Sequence, residues 1–204
     1  MGAHAVNRDG VDGYMFRVWA PRAQAVSVVG DFNYWNGEDL YMNKLSDGVW
    51  EAWSANAQEG QAYKYLIHHW SGRRVHKMDP VGFRSCKAPD TSSVIARLDS
   101  YKWHDSLWFA QSARRNPLNA PMNIYELHLR SWRRKEDGSY YSYAEIAPML
   151  AEYVKSMGYT HVQLMPVYDY GSVDEENWQQ GYNWGYDPVN YNVPEGSFSS
   201  DPYR

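Results

Sequence analysis

The sequence predicts two architectures in succession: an all-β, immunoglobulin-like sandwich, then the opening βαβ portion of a larger α/β domain. Three observations carry this prediction. The first hundred residues break into short apolar runs, several of them alternating, each ended by a turn signal. Helix signals are absent from that stretch. After residue 121 the pattern changes to strand, capped helix and strand, which is the order of a parallel crossover unit.

In the first part, residues 14–20 (YMFRVWA) stop at Pro21, and residues 25–29 (AVSVV) stop at Gly30-Asp31. Residues 49–55 (VWEAWSA) follow the turn Ser46-Asp47-Gly48. Residues 62–68 (AYKYLIH) put Tyr63, Tyr65 and Ile67 on one face and Lys64, Leu66 and His68 on the other. A strand over 92–97 closes the set, and short strands at such spacing indicate an antiparallel sandwich. Of the mid-strand indoles Trp50 and Trp53, one is expected in the core and one at the surface.

Residues 101–120 read as a connector ending NPLNAP. Residues 123–129 (NIYELHL) are a buried-type strand. Ser142 and Glu145 have capping-box spacing, and apolar residues then recur on one helical face from Tyr143 to Met157. Pro148 either kinks that helix or begins its main part, and Gly158 ends it as a left-handed cap. Residues 160–167 (THVQLMPV) form the second strand. One βαβ unit is not a domain, so the chain is expected to stop inside a larger one, with the apolar faces of its two strands left in water. The divisions are 1–105, a connector at 106–120, and 121–204.

Composition narrows the partners. A formal charge of −4 over 204 residues, with no basic block, argues against nucleic acid. No apolar run reaches the length of a membrane span, and MGAHAVNRDG has no leader pattern, so the expectation is a soluble, cytoplasmic protein without a membrane partner. The single Cys86 offers neither a disulfide nor a metal cluster. His68-His69 and His128 lack further ligands at a usable spacing, so no metal and no cofactor are expected. Aromatic residues, by contrast, reach 16%. That many flat rings suggest surfaces that stack on sugars.

The stretches VSVVGDFNYWNG (26–37), GVWEAW (48–53), EGQAYKYLI (59–67), Asp79-Pro80 and PDTSSVI (89–95) resemble the family 48 carbohydrate-binding module, in the version that precedes glycogen branching enzymes. PMNIYELHLRSW (121–132) and YVKSMGYTHVQLMPV (153–167) resemble the first strand, the end of the first helix and the second strand of the glycoside hydrolase family 13 TIM (β/α)8 barrel, here truncated. YNWGYDPVNYNVPEGS (182–197) is instead similar to type I pullulanases.

The resemblance implies an α-glucan enzyme of branching type, which forms α-1,6 branches by transglycosylation. The alternatives are a pullulanase-like hydrolase of α-1,6 linkages and a glucan-binding module without chemistry of its own. The implied partner is glycogen or a starch-like α-glucan. The family's catalytic carboxylates follow later barrel strands, so no catalytic residue is assigned in this chain, and residues 1–204 alone are expected to be inactive. The acidic residues Asp169, Asp174, Glu175, Glu176, Asp187 and Glu195 are read as loop carboxylates.

Tyr182, Trp184, Tyr186 and Tyr191 are interleaved with Asn183, Gly185, Asp187 and Asn190, a composition suited to packing on sugar rings and bonding their hydroxyls. By resemblance Tyr186 stacks under the sugar at the cleavage subsite, with Trp184 beside it, and Asp187 orders the loop or contacts the same ring. Trp35, Lys64 and Trp70 match the positions at which some family 48 modules bind linear glucan. Two indoles flanking a cation would suit a curved chain.

Overall fold

In the structure, a computed structural model describing residues 1–86, 90–99, 101–171 and 183–200, the period-2 patterns become two antiparallel sheets. The first has the order β1 (Gly2–Arg8), β2 (Val11–Trp19), β5 (Val49–Ser54), β4 (Asn43–Lys44). The second runs β3 (Ala25–Gly30), β6 (Ala62–His68), β9 (Ser93–Val94), β8 (Arg84–Ser85), with β7 (Arg74–Lys77) also on β6. Registers such as Phe16↔Ala52 and Val28↔Tyr65 point alternate residues inward. Phe16 and Trp50 of one sheet join Val26, Val28, Tyr63 and Tyr65 of the other in a single core. Burying such side chains stabilises by roughly 1.5–3 kcal/mol each. Residues 1–97 therefore form a sandwich-like pair of sheets. Trp50 enters the core, while Trp53 stays half-buried.

Several elements were not legible. β1 (GAHAVNR) lacks alternation, yet it pairs along its whole length with β2 as an edge strand. β4, β7 and β8 are too short to carry a pattern. The strand expected over 92–97 reduces to Ser93–Val94, because only Ala62 and Tyr63 of β6 reach it.

A buried carboxylate pins the second sheet. Asp79, wholly buried, accepts hydrogen bonds from the hydroxyls of Tyr63 (2.6 Å) and Tyr65 (3.1 Å) and from the Val81 amide (3.0 Å). Burial pushes its pKa up, against the pull of these donors. The Ser93 hydroxyl accepts from the Asp79 amide at 2.8 Å, which ties β9 to the same point.

The second part contains α1 (Ser106–Ser112), β10 (Ile124–Leu127), α2 (Leu129–Trp132), α3 (Tyr143–Ser156) and β11 (His161–Leu164). β10 and β11 pair in parallel across α3, as the strand–helix–strand order requires. The Ser142 hydroxyl accepts from the Glu145 amide, and the Glu145 carboxylate accepts from the Ser142 amide at 2.7 Å, so the capping box forms. Hydrogen bonds from Lys135 and Ser142 hold the Glu145 pKa down at about 2. The helix continues through Pro148 without breaking, and Gly158 (φ +75°) follows its end. Leu127, Leu129, Ile146 and Phe198 form a small core, whereas Ile124, Val162 and Leu164 are exposed, as two strands without flanking neighbours must be. The connector is not irregular throughout, since it holds α1. The strand expected over 123–129 reduces to Ile124–Leu127, and Leu129 already begins α2.

The aromatic and acidic residues after 167 carry no strand pattern in the sequence. Their described part instead contains β12 (Tyr168–Tyr170) and β13 (Pro188–Pro194), an antiparallel pair with bulges. Met1–Arg97 and Tyr168–Ser197 make one compact unit, and Leu98–Val167 with Phe198–Ser200 another. The β12–β13 pair is therefore held by the sandwich. The side-chain amides of Asn190 and Asn192 donate to the carbonyls of Asp79 (2.8 Å) and Pro80 (2.7 Å).

The pin gives a measurable expectation. Asp79→Ala strands the buried Tyr63 hydroxyl, leaves Tyr65 only the Arg17 carbonyl at 3.3 Å, and should cost about 3 kcal/mol in urea unfolding, whereas Tyr65→Phe should cost about 1 kcal/mol. Equal costs for the two would contradict the central role of the carboxylate.

Candidate functional site

The turn after β3 builds the first group of sugar-site candidates. Gly30 lies so close to β6 that a Cβ there would meet the Ala62 carbonyl at 2.5 Å, so only glycine fits. Asp31 then bridges two elements. Its Oδ2 accepts from the Ala62 amide (2.8 Å) and its Oδ1 from the Trp35 indole (3.0 Å). Asn33, buried, accepts from the Gly30 amide and donates to the Val28 carbonyl, both at 2.9 Å. Tyr34 and Trp35 sit in the left-handed region (φ +52° and +59°), a conformation that costs non-glycine residues roughly 1–2 kcal/mol each. The GDFN-x-W sequence thus holds the Trp35 ring, 38% exposed, at a set angle above the sheet.

Lys64 lies on the outward face of β6, opposite Val29. Its ammonium donates to Thr91 Oγ1 at 3.0 Å. Cys86 is in the same neighbourhood, its thiol pushed up to about 11 by burial and by the charge of Asp90. Trp35 joins the Gly30–Tyr63 end of the strand pair, since its amide donates to the Gly30 carbonyl at 2.9 Å. Trp70, 71% exposed, stands beyond the His68 end. Lys64 to His68 alone spans about 13 Å of strand. Trp35 and Lys64 are therefore brought to one end of the face, and Trp70 to the other. Between them the outward face is covered, as Leu66 and Ser27 are buried and Ser27 Oγ lies 3.2 Å from His68 Nε2.

The second group rides on the segment leading into β13. Asn183, buried, donates to the Gly171 carbonyl (2.9 Å) and accepts from the Gly185 amide (2.8 Å), which fixes the approach to residues 184–187. Tyr186 is 68% exposed and Trp184 48%, while Tyr191 packs on Tyr168 with ring centres 5.7 Å apart. Asp187 is exposed. Tyr182, Asp174, Glu175 and Glu176 lie outside the described residues.

Sequence reasoning missed the Asp169–Glu195 pair, because both residues read as loop carboxylates. Both are buried, and Glu195 accepts from the amides of Tyr170 (3.1 Å) and Ser197 (2.9 Å). Burial, with a contribution from the Glu195 charge, raises Asp169 to about 6. No local signal marks the pair, which the β12–β13 register brings together at one end of the two strands.

Among the described residues, no group of three or more His, Cys, Asp or Glu could hold a metal ion, and no helix is long and apolar enough to cross a membrane.

Residues 1–82, which hold the first sheet, β3, β6 and β7 of the second, and the turns that carry Trp35 and Trp70, match the family described as Carbohydrate-binding module 48 (Isoamylase N-terminal domain). The chain is 45% identical over 98% of its length to the 1,4-alpha-glucan branching enzyme GlgB of Saccharophagus degradans, and 42% identical over 94% to that of Francisella philomiragia. It spans 27% and 29% of those relatives' lengths. Among solved structures, a pullulanase from Paenibacillus barengoltzii superposes on the whole chain, with a TM-score of 0.68 and 29% identity over 33% of its own length. The type I pullulanase of Bacillus subtilis superposes on 98% of the chain, with 0.66 and 28% over 28% of its length. The resemblance to a family 48 module and to a branching enzyme is thereby borne out.

The Asp169 carboxyl gives a pH expectation. Between about 4 and about 6 the folded protein keeps a proton that the unfolded chain releases, so this group's contribution to stability is complete below 4 and lost as pH rises through 6. Asp169→Asn should remove that component. The wild-type minus variant difference in urea midpoint should fall between pH 4 and 7. A difference that stays flat would contradict the raised pKa.

Proposed function

We propose that the full-length protein is a family 13 α-glucan enzyme of branching type, and that this chain contributes its glucan-binding module and the start of its catalytic (β/α)8 barrel. Such an enzyme cuts an α-1,4 bond, holds the glucan on a carboxylate, and transfers it to a 6-hydroxyl, using a nucleophile and an acid roughly 5–5.5 Å apart. The carrying observation is the 45% identity to a branching enzyme across 98% of the chain, well above the 28–29% to the pullulanases. The parallel β10–β11 pair with exposed Ile124, Val162 and Leu164 supports an incomplete barrel, because parallel strands are ordinarily covered on both faces. In this reading the module comprises residues 1–105, 106–120 connect, and 121–204 begin the barrel. The site of action is cytoplasmic.

The binding roles follow from chemistry. A pyranose offers an apolar C–H face to an indole or phenol ring and hydroxyls to carboxylates and amides. Tyr186 is exposed and free to lie under a sugar, with Trp184 and Asp187 adjacent. Trp35, held by Asp31, and Lys64 form one end of a module surface, and Trp70 extends it. Debranching is the second reading, favoured by the pullulanase superpositions and the YNWGYDPVNYNVPEGS segment.

Full-length protein incubated with amylose should create new branch points, and with pullulan should release no maltotriose; the reverse pattern would establish debranching. Residues 1–204 alone should turn over neither substrate. In the full-length enzyme Tyr186→Ala should lower kcat/KM about tenfold or more, the loss of roughly 1.4 kcal/mol of stacking.

A further inference from the structure

A groove in the sandwich unit lies outside every residue discussed above as a sugar site. It has a volume of about 570 Å³ and opens to solvent between the β1–β2 hairpin and the segment that follows β5. Its polar wall is Asn7, Asp12, Gln58, Glu59 and Arg97, and its floor is made of Val6, Gly13 and Ala57.

Three of the wall groups, Asn7, Asp12 and Glu59, are held in place. Asn7 donates to Asp12 Oδ1 at 2.7 Å and accepts from the Gly10 amide at 3.0 Å. Glu59 Oε1 accepts from the Arg97 amide at 3.3 Å. Gly13 admits no side chain, because a Cβ would meet the Ser54 carbonyl at 2.5 Å and the Trp53 ring at 2.9 Å. The floor is therefore flat backbone and small apolar groups beside the half-buried Trp53, whose indole donates to the Val6 carbonyl at 3.3 Å.

The chemistry selects a ligand class. Two carboxylates oppose one guanidinium, which disfavours anions such as phosphorylated ligands. A purely apolar ligand would strip water from five polar side chains without replacing their hydrogen bonds. A ligand with many hydroxyls, each both donor and acceptor, satisfies carboxylates, carboxamides and a guanidinium alike, while its C–H faces lie on the small floor. The volume falls within the roughly 300–1,000 Å³ of small-molecule sites.

We propose that this groove is a second carbohydrate site on the module, taking a short neutral run of α-linked glucose units. The identity of the sugar rests on the α-glucan reading above; the groove and its chemistry do not. A second contact with one polymer, on the same rigid module as the first, strengthens attachment through effective concentration.

The test titrates the whole isotopically labelled chain with maltoheptaose and follows backbone amides. Gly13, Gln58, Glu59 and Arg97 should shift with a common Kd. Ala55→Arg, which fills the groove from an exposed wall position, should weaken that Kd at least fivefold (about 1 kcal/mol). Should Ala55→Arg lower the thermal midpoint, Gln58→Ala serves in its place and should weaken binding in the same sense. Shifts confined to the neighbourhoods of Trp35, Lys64, Trp70 or Tyr186 would overturn the groove while leaving the glucan reading intact. No shift anywhere would overturn both.

Discussion

A carboxylate taken out of water must find donors or stay protonated, and Asp79 meets that constraint in a way that organises its unit. Two tyrosine hydroxyls from β6 and a backbone amide converge on its oxygens, and its own amide and carbonyl engage Ser93 and Asn190. One residue thereby joins the central strand of the second sheet, the turn after β7, the short β9 and the distant β13. Tyr63 and Tyr65 also pack edge-to-face, with ring centres 5.9 Å apart, so the same side chains that fill the core satisfy the buried charge. Removing one hydroxyl leaves the carboxylate its other donors, whereas removing the carboxylate leaves the Tyr63 hydroxyl buried without a partner.

The aromatic segment gains its position from this point. Tyr186 and Trp184 are local sequence features, but the strand that follows them is fastened to Asp79 and Pro80 through Asn190 and Asn192. Exposed rings on a free loop would lose conformational entropy on meeting a sugar; rings beside an anchored strand lose less. The same logic applies to Trp35, where Asp31 and two left-handed residues fix the indole. Both groups are preorganised by polar contacts, those of Asn33 and Asn190 buried and those of Asp31 and Asn192 exposed.

The second unit follows a different balance. Its helix is locally well determined, by a capping box and a continuous apolar face, while its two strands show apolar side chains to water. Local signals suffice to build α3 and to pair β10 with β11. They do not supply the layers that parallel strands ordinarily require on both faces. Stability in this part therefore depends on α3 and Phe198 more than on the sheet.

By itself the sequence determined whatever depends on neighbours close along the chain. β6 kept its predicted bounds, though Leu66 and His68 on its outer face are buried as well as Tyr63 and Tyr65, while Ser142 and Glu145 announced the start of α3 and GDFN-x-W marked an ordered turn. The pairing of β1 was not legible, because an edge strand needs only one partner and one covered face. Nor was the burial of Asp169 and Glu195, since a loop carboxylate and a buried one are written with the same letter. Only the tertiary structure decided that Trp35 and Lys64 share an end of the sheet while Trp70 stands at the other, and that residues after Tyr168 return to the sandwich. The first outcome rests on β3–β6 pairs 33 to 43 residues apart and the second on contacts more than a hundred apart, Asn190 to Asp79 among them, for which no local periodicity leaves a trace.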